Sequence, residues 1–151
     1  MEEEKKLNTE EEKMVDEAFQ HLIDSYLNTK HRKKVELITK AFNFARHAHE
    51  GGRRLSGEPY IMHPIAVAQI VCSEIGLGST SICSALLHDV VEDTDYTVDD
   101  IENIFGPKIA QIVDGLTKIS GAHERITIYS FASGVVLSLL VPVLVPLIIL
   151  L

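Results

Sequence analysis

The sequence predicts an all-α fold, a helical bundle followed by an apolar C-terminal segment. Three observations carry this expectation. Apolar residues recur three and four positions apart in successive stretches, the spacing of one helix face. Capping residues, glycines and prolines separate those stretches at positions that start or stop helices. No stretch before residue 125 alternates apolar and polar residues between turn signals, as a half-buried strand would.

Each element can be justified in order. Residues 1–8 form an acidic start that is expected to be disordered. Thr9 then caps a first helix, with Glu12 reaching back as the capping-box partner. Val15, Phe19, Leu22, Ile23 and Tyr26 make its apolar stripe. A second helix is expected from about His31 to His49, with Val35, Ile38, Phe42 and Ala45 facing inward. Its basic start, His31-Arg32-Lys33-Lys34, reads as a solvated first turn that opposes the helix dipole. The run from Glu50 to Pro59 holds Gly51, Gly52, Gly57, Arg53 and Arg54, and its composition makes it a loop. Pro64 suits the first position of a third helix, which passes Val67, Ile70 and Val71 and stops at Gly76. Ser79 or Thr80 opens a fourth helix, Ile82 to about Val91, apolar almost all round and therefore central. Thr97 with Asp100 opens a fifth, closed by Gly106. Pro107 begins a sixth, striped by Ile109, Ile112, Val113 and Leu116.

A chain of 151 residues supports one domain with a real core. Its formal net charge of −8 argues against a general nucleic-acid binder, which carries a basic face. Cys72 and Cys83 lie in apolar helical patterns without metal-ligand spacing, and read as buried free thiols in a reducing cytoplasm. No secretory signal opens the chain, because no apolar run follows Met1-Glu2-Glu3-Glu4-Lys5-Lys6.

The chemistry concentrates at the end of the fourth helix. On a helix His88 lines up with Glu92, and Asp89 with Glu92 and Asp93. An imidazole, an adjacent carboxylate and two further carboxylates one turn later can bind a divalent cation and leave a base for water. The donor types suit Mn²⁺, Fe²⁺ or Zn²⁺ better than Ca²⁺. A His-Asp pair at a helix end also serves as a hydrogen-bonded cap, and an acidic run is ordinarily solvated. Here the pair follows a fully apolar helix, and His63 stands at another helix start. Arg53 and Arg54 in the glycine-rich loop can grip phosphate or stack on a base. His21, His31, His47 and His123 have no such company, and read as surface or core residues.

Three motifs together resemble the N-terminal hydrolase domain of the RelA/SpoT-type alarmone enzymes. They are Ser56-Gly57-Glu58-Pro59-Tyr60-Ile61-Met62-His63-Pro64, His88-Asp89-Val90-Val91-Glu92-Asp93-Thr94 and Ile112-Val113-Asp114-Gly115-Leu116-Thr117-Lys118. The resemblance covers roughly residues 20 to 120, which places a partial HD-type hydrolase domain at 9–120. It implies an HD-domain helical bundle and Mn²⁺-dependent removal of the 3′-pyrophosphate from guanosine tetra- or pentaphosphate, ending the stringent response. It further implies His63, His88 and Asp89 as metal ligands, and Glu92 and Asp93 as the pair that orients or activates water. Arg54 would stack on guanine, with Ser56 among the substrate-contacting positions. The alternative is a catalytically inactive remnant that binds nucleotide or a partner.

The chain departs from the family at two places. Leu55 follows the stacking arginine where the family commonly carries a basic residue. The family's last metal ligand comes from an aspartate in a downstream Asp-Arg-Leu-His-Asn-type motif, and this chain has no aspartate after Asp114. From residue 121 the sequence becomes an apolar tail, with no Asp, Glu, Lys, Arg or His from Ile126 to Leu151. About 20 apolar residues suffice to cross a bilayer, but Pro142 and Pro146 interrupt this run. Three readings stay open: a membrane contact through residues 126–151, an oligomerisation segment, or a terminus made by truncation or rearrangement.

Overall fold

The computed structural model describes residues 7–118, and these are helical with no strand. The expectations for the apolar tail, and for the acidic start before residue 7, lie outside the described residues. The helices are α1 (Thr9–Leu27), α2 (Val35–Ala48), α3 (Met62–Ser73), α4 (Ser79–Leu87), α5 (Val90–Asp93) and α6 (Val98–Phe105). A further helix, α7, covers 107–118. No helix among the described residues is long and apolar enough to cross a membrane.

Order begins earlier than the sequence suggests. Leu7 packs against the core, and Asn8 rather than Thr9 caps α1. The Asn8 side chain accepts from the Glu10 and Glu11 amides, while Glu11 Oε2 accepts the Asn8 amide at 3.0 Å. Asparagine caps at least as well as threonine, and the box simply shifts by one residue. The stripe reads as expected: Val15, Leu22, Ile23 and Tyr26 are buried, and Phe19 stacks on Phe42 of α2 with ring centroids 3.9 Å apart.

The second helix starts at Val35, not His31. Tyr26 explains the delay: its hydroxyl donates to the Arg32 carbonyl at 2.6 Å and accepts the Lys34 amide at 3.0 Å. That phenol fixes the connection in a non-helical path. Lys33 extends back to the Tyr26 and Thr29 carbonyls at the end of α1, a favourable place for a cation. His31 Nε2 lies 2.7 Å from the Gly76 carbonyl.

Helix α3 begins at Met62, with Pro64 as its third residue. A proline is tolerated there because first-turn amides have no intrahelical partner. Ile65, Ala68, Val71 and Cys72 are buried, while Ile70 is exposed. Helix α3 packs on α1 and α4, and α2 packs on α4. Residues Ile82 through Leu87 of α4 are all buried, so it is the central helix the sequence implied. It ends at Leu87, before the expected Val91. The Thr97–Asp100 capping box opens α6, and Gly106 closes it. Ile109, Val113 and Leu116 of α7 are buried.

Leu86 is fully buried in this central helix. Leu86→Ala should destabilise the metal-free protein by about 2–5 kcal/mol, the range for leucine truncation in a packed core. Chemical denaturation read by helical circular dichroism checks this. A loss well below that range would mean that α4 is not the packing centre.

Candidate metal centre

Three segments converge at one end of α4. The first is the loop before α3, folded on itself by an isolated antiparallel bridge between Arg53 and Pro59. The Arg54 amide donates to the Glu58 carbonyl at 3.0 Å, and the Gly57 amide to the Arg54 carbonyl at 2.9 Å. Gly57 takes φ 91°, which a side chain would strain. Gly52 is needed for closeness instead: a Cβ there would lie 3.0 Å from the His49 carbonyl oxygen and 3.3 Å from Tyr60 Cβ. This approach lets the Tyr60 amide reach the Gly52 carbonyl at 2.9 Å, and Tyr60 in turn accepts the His63 amide at 3.0 Å. The loop therefore sets the first turn of α3, which carries His63.

The second and third segments are the end of α4 and the short α5. His88 and Asp89 interrupt what the sequence suggested as one helix. His88 Nδ1 lies 2.7 Å from the Ala85 carbonyl, the acceptor a continuing helix would offer to residue 89. Helix resumes at Val90, and the Asp93 amide donates to the Asp89 carbonyl at 2.9 Å. Asp89 and Asp93 thus still share a side, as their spacing implied.

His63, His88 and Asp89 offer ligand atoms that all lie within 4.8 Å of one another, a group able to hold a metal ion. His88 Nε2 is 2.9 Å from Asp89 Oδ1, and His63 Nε2 is 3.5 Å from Asp89 Oδ2. The donor set fits a divalent cation for a specific reason. A carbonyl only accepts, so the Ala85 contact places the His88 proton on Nδ1 and leaves the Nε2 lone pair facing a carboxylate oxygen. Two such lone pairs need a proton or a cation between them. Locking of the other ring nitrogen by a carbonyl is also how metal-binding histidines are oriented.

Tyr60 and His49 complete the surroundings. The Tyr60 hydroxyl lies 2.7 Å from Asp89 Oδ2 and 2.7 Å from Asp93 Oδ2. His49 packs its ring on Tyr60 with centroids 4.6 Å apart, and its buried Nε2 has no hydrogen-bond partner among the described residues. Neither residue was singled out by sequence reasoning. Glu92 is exposed on α5 and stands outside the group of three.

The two arginines diverge. Arg53 donates from both terminal nitrogens to Glu11, at 2.5 and 3.0 Å, and to the Gly57 carbonyl at 2.9 Å. It pins the loop to the start of α1. Arg54 is exposed, 3.8 Å from Glu58, and its charge contributes to the electrostatics of His63. Ser56 is exposed at the tip beside Leu55. A groove of about 360 Å³ lies behind the loop, lined by His49, Gly52 and Tyr60 among others, but by none of the metal group.

Burial disfavours the His88 imidazolium, yet the Asp89 carboxylate and the Ala85 carbonyl outweigh it, and the His88 pKa rises above 6.5. Burial and the neighbouring His88 push His63 down, and burial lowers His49. Burial would raise Asp89, but hydrogen bonding and charge from His88, with help from Tyr60, hold it at about 2. A histidine raised on folding stabilises fully below its unfolded value, and loses that contribution as pH rises through the folded value. An aspartate lowered on folding stabilises above its unfolded value, and fails as pH falls. In metal-free protein the melting-temperature gap between wild type and His88→Asn should therefore be widest between the ordinary carboxylate value of 3.8 and 6.5, and shrink above 6.5. Melting curves in EDTA across pH measure it, and a gap independent of pH would refute the His88–Asp89 ion pair.

Comparison with known proteins shows the family of the domain. Residues 41–127 match the family model described as HD domain. The bifunctional (p)ppGpp synthase/hydrolase SpoT of Escherichia coli (strain K12) is 45% identical over 109 residues, 72% of this chain and 15% of that protein. The guanosine-3′,5′-bis(diphosphate) 3′-pyrophosphohydrolase of Haemophilus influenzae is 52% identical over 81 residues, 54% of this chain and 12% of that protein. The chain thus spans a small fraction of these relatives' length. A solved structure, described as a metazoan orthologue of SpoT that hydrolyses ppGpp and plays a role in starvation responses, superposes with a TM-score of 0.52 at 32% identity, over 56% of this chain and 49% of that one. With the His-Asp pair at a helix break and His63 facing it, the chain belongs to the HD-domain family, and it is homologous to the SpoT/RelA-type ppGpp hydrolases.

Proposed function

We propose that this chain carries a metal-dependent (p)ppGpp 3′-pyrophosphohydrolase domain. The observation that carries the reading is the meeting of His63, His88 and Asp89 within 4.8 Å, at the foot of the loop that presents Arg54. The names of the relatives, guanosine-3′,5′-bis(diphosphate) 3′-pyrophosphohydrolase among them, support the substrate. Buried free thiols at Cys72 and Cys83 fit a reducing, cytoplasmic setting.

In this reading His63, His88 and Asp89 hold the cation, which we take to be Mn²⁺. When bound, it supplies Lewis-acid polarisation of the phosphoryl group and makes water more acidic. Asp93 and Glu92 orient the attacking water and accept its proton. The water oxygen bonds to the phosphorus attached to the ribose 3′-oxygen, and the bond from that phosphorus to the 3′-oxygen breaks. Pyrophosphate leaves, and the 3′-oxygen regains a proton to give GDP or GTP. Arg54 stacks on guanine, and Ser56 contacts the substrate from the loop tip. A second reading, a nucleotide-binding module without turnover, is favoured by the group of only three donors among the described residues.

Pyrophosphate release from ppGpp in the presence of Mn²⁺ separates the two readings. Wild type should turn over and His88→Ala should not. Retained ppGpp binding with no turnover in folded wild type would leave the binding module. The arginines give an independent check. Arg54→Ala should raise KM roughly tenfold, as loss of one base stack does, without changing the melting temperature. Arg53→Ala should lower the melting temperature, since it breaks the Glu11 link. The reverse assignment of effects would overturn the roles given to the two.

A further inference from the structure

The Asp89 carboxylate has three partners among the described residues: His63, His88 and Tyr60. Both histidines are donors to the same cation as Asp89. Tyr60 is the partner that does not belong to the metal group, and it holds Asp89 by Oδ2 while His88 faces Oδ1. The same hydroxyl reaches Asp93 Oδ2, four residues on, so one phenol oxygen spans a metal ligand and a water-orienting carboxylate. Its own place is fixed on three sides. The Tyr60 amide is held by Gly52, its carbonyl by the His63 amide, and its ring by His49. Both atoms facing the hydroxyl are carboxylate oxygens, which accept, so the phenol is the donor.

We propose that Tyr60 is the positioning residue of this site, fixing the separation of Asp89 and Asp93 and aiming Asp89 at the cation. The inference rests on the metal reading above. The phenol has one proton and faces both carboxylates. With a cation bound, the hydroxyl would stay between them, keeping Asp89 aimed and holding Asp93 where it can orient water. Without the hydroxyl, Asp89 depends on the cation and its two histidines for its orientation, and Asp93 loses its tie to the centre. Such outer partners of metal ligands are worth roughly 10–100-fold in metal affinity.

The test is Mn²⁺ binding, followed by electron paramagnetic resonance, in wild type, Tyr60→Phe and His88→Asn. Melting in EDTA and helical circular dichroism follow the fold, and ppGpp turnover is measured in parallel. Tyr60→Phe keeps the ring against His49 and should keep the metal-free fold. It should weaken Mn²⁺ binding by about tenfold and lower kcat while leaving KM for ppGpp near the wild-type value. Wild type that binds Mn²⁺ with Tyr60→Phe binding equally well would overturn the role of Tyr60 and leave the metal reading standing. Wild type that binds no Mn²⁺, or binds it no better than His88→Asn, would overturn both. A Tyr60→Phe protein without helical signal in EDTA would also overturn the proposal, because the phenol would then be a determinant of the fold.

Discussion

Helix α4 is buried on every side, and the rest of the domain is arranged around that fact. Ile82, Cys83, Ser84, Ala85, Leu86 and Leu87 are consecutive and buried, so no face is left for water. Each large apolar side chain so enclosed contributes about 1.5–3 kcal/mol, but only if helices close over it, as α2 and α3 do. The one polar side chain in that run, Ser84, is satisfied by the Thr80 carbonyl at 2.9 Å. A helix of this kind cannot carry a functional group along its length. It can only deliver one at an end.

The end it delivers has a sign. The last carbonyls of a helix concentrate partial negative charge, and Asp89 adds a full one that stays ionised down to about pH 2. Both favour a cation. The ladder is broken there by the His88 ring taking the Ala85 carbonyl, which turns His88 and Asp89 toward His63. The loop from Glu50 to Ile61 completes the arrangement from the other side. Glu11 closes the capping box of α1 and also receives Arg53, so the start of the chain's first helix and the loop are one hydrogen-bonded unit.

Much of this was legible in the sequence because it is local. Period and capping residues located every described helix but α5, and the Thr97–Asp100 box and the Gly106 stop were read to the residue. The spacing of Asp89 and Asp93 correctly placed both on one side. What was not legible depends on contacts distant in sequence. The path of residues 31–34 is set by the Tyr26 hydroxyl, and nothing in a basic tetrapeptide announces that. Arg53 and Arg54 are indistinguishable by type, and only Glu11, 42 residues away, separates their roles. Tyr60 reads as an ordinary aromatic residue until the fold brings it against carboxylates 29 and 33 positions later. The helix break at His88 was missed because an imidazole competing for its own helix's carbonyl leaves no mark in an apolar pattern.

The three donors found among the described residues bear on affinity and on reactivity in opposite directions. Hard divalent cations that work on phosphates keep several coordination positions for water and substrate oxygens, and are often held by few protein groups. A centre held by few protein groups such as His63, His88 and Asp89 is open, and its occupancy falls before its chemistry does. With few donors the orientation of the carboxylate matters more, because a single misdirected oxygen is a larger share of the binding. Asp89 is the one carboxylate in that group, so within it nothing offsets rotation about the Asp89 side-chain bonds. The fold meets that requirement with a group that is not itself a ligand: a half-buried phenol anchored by backbone contacts to Gly52 and His63.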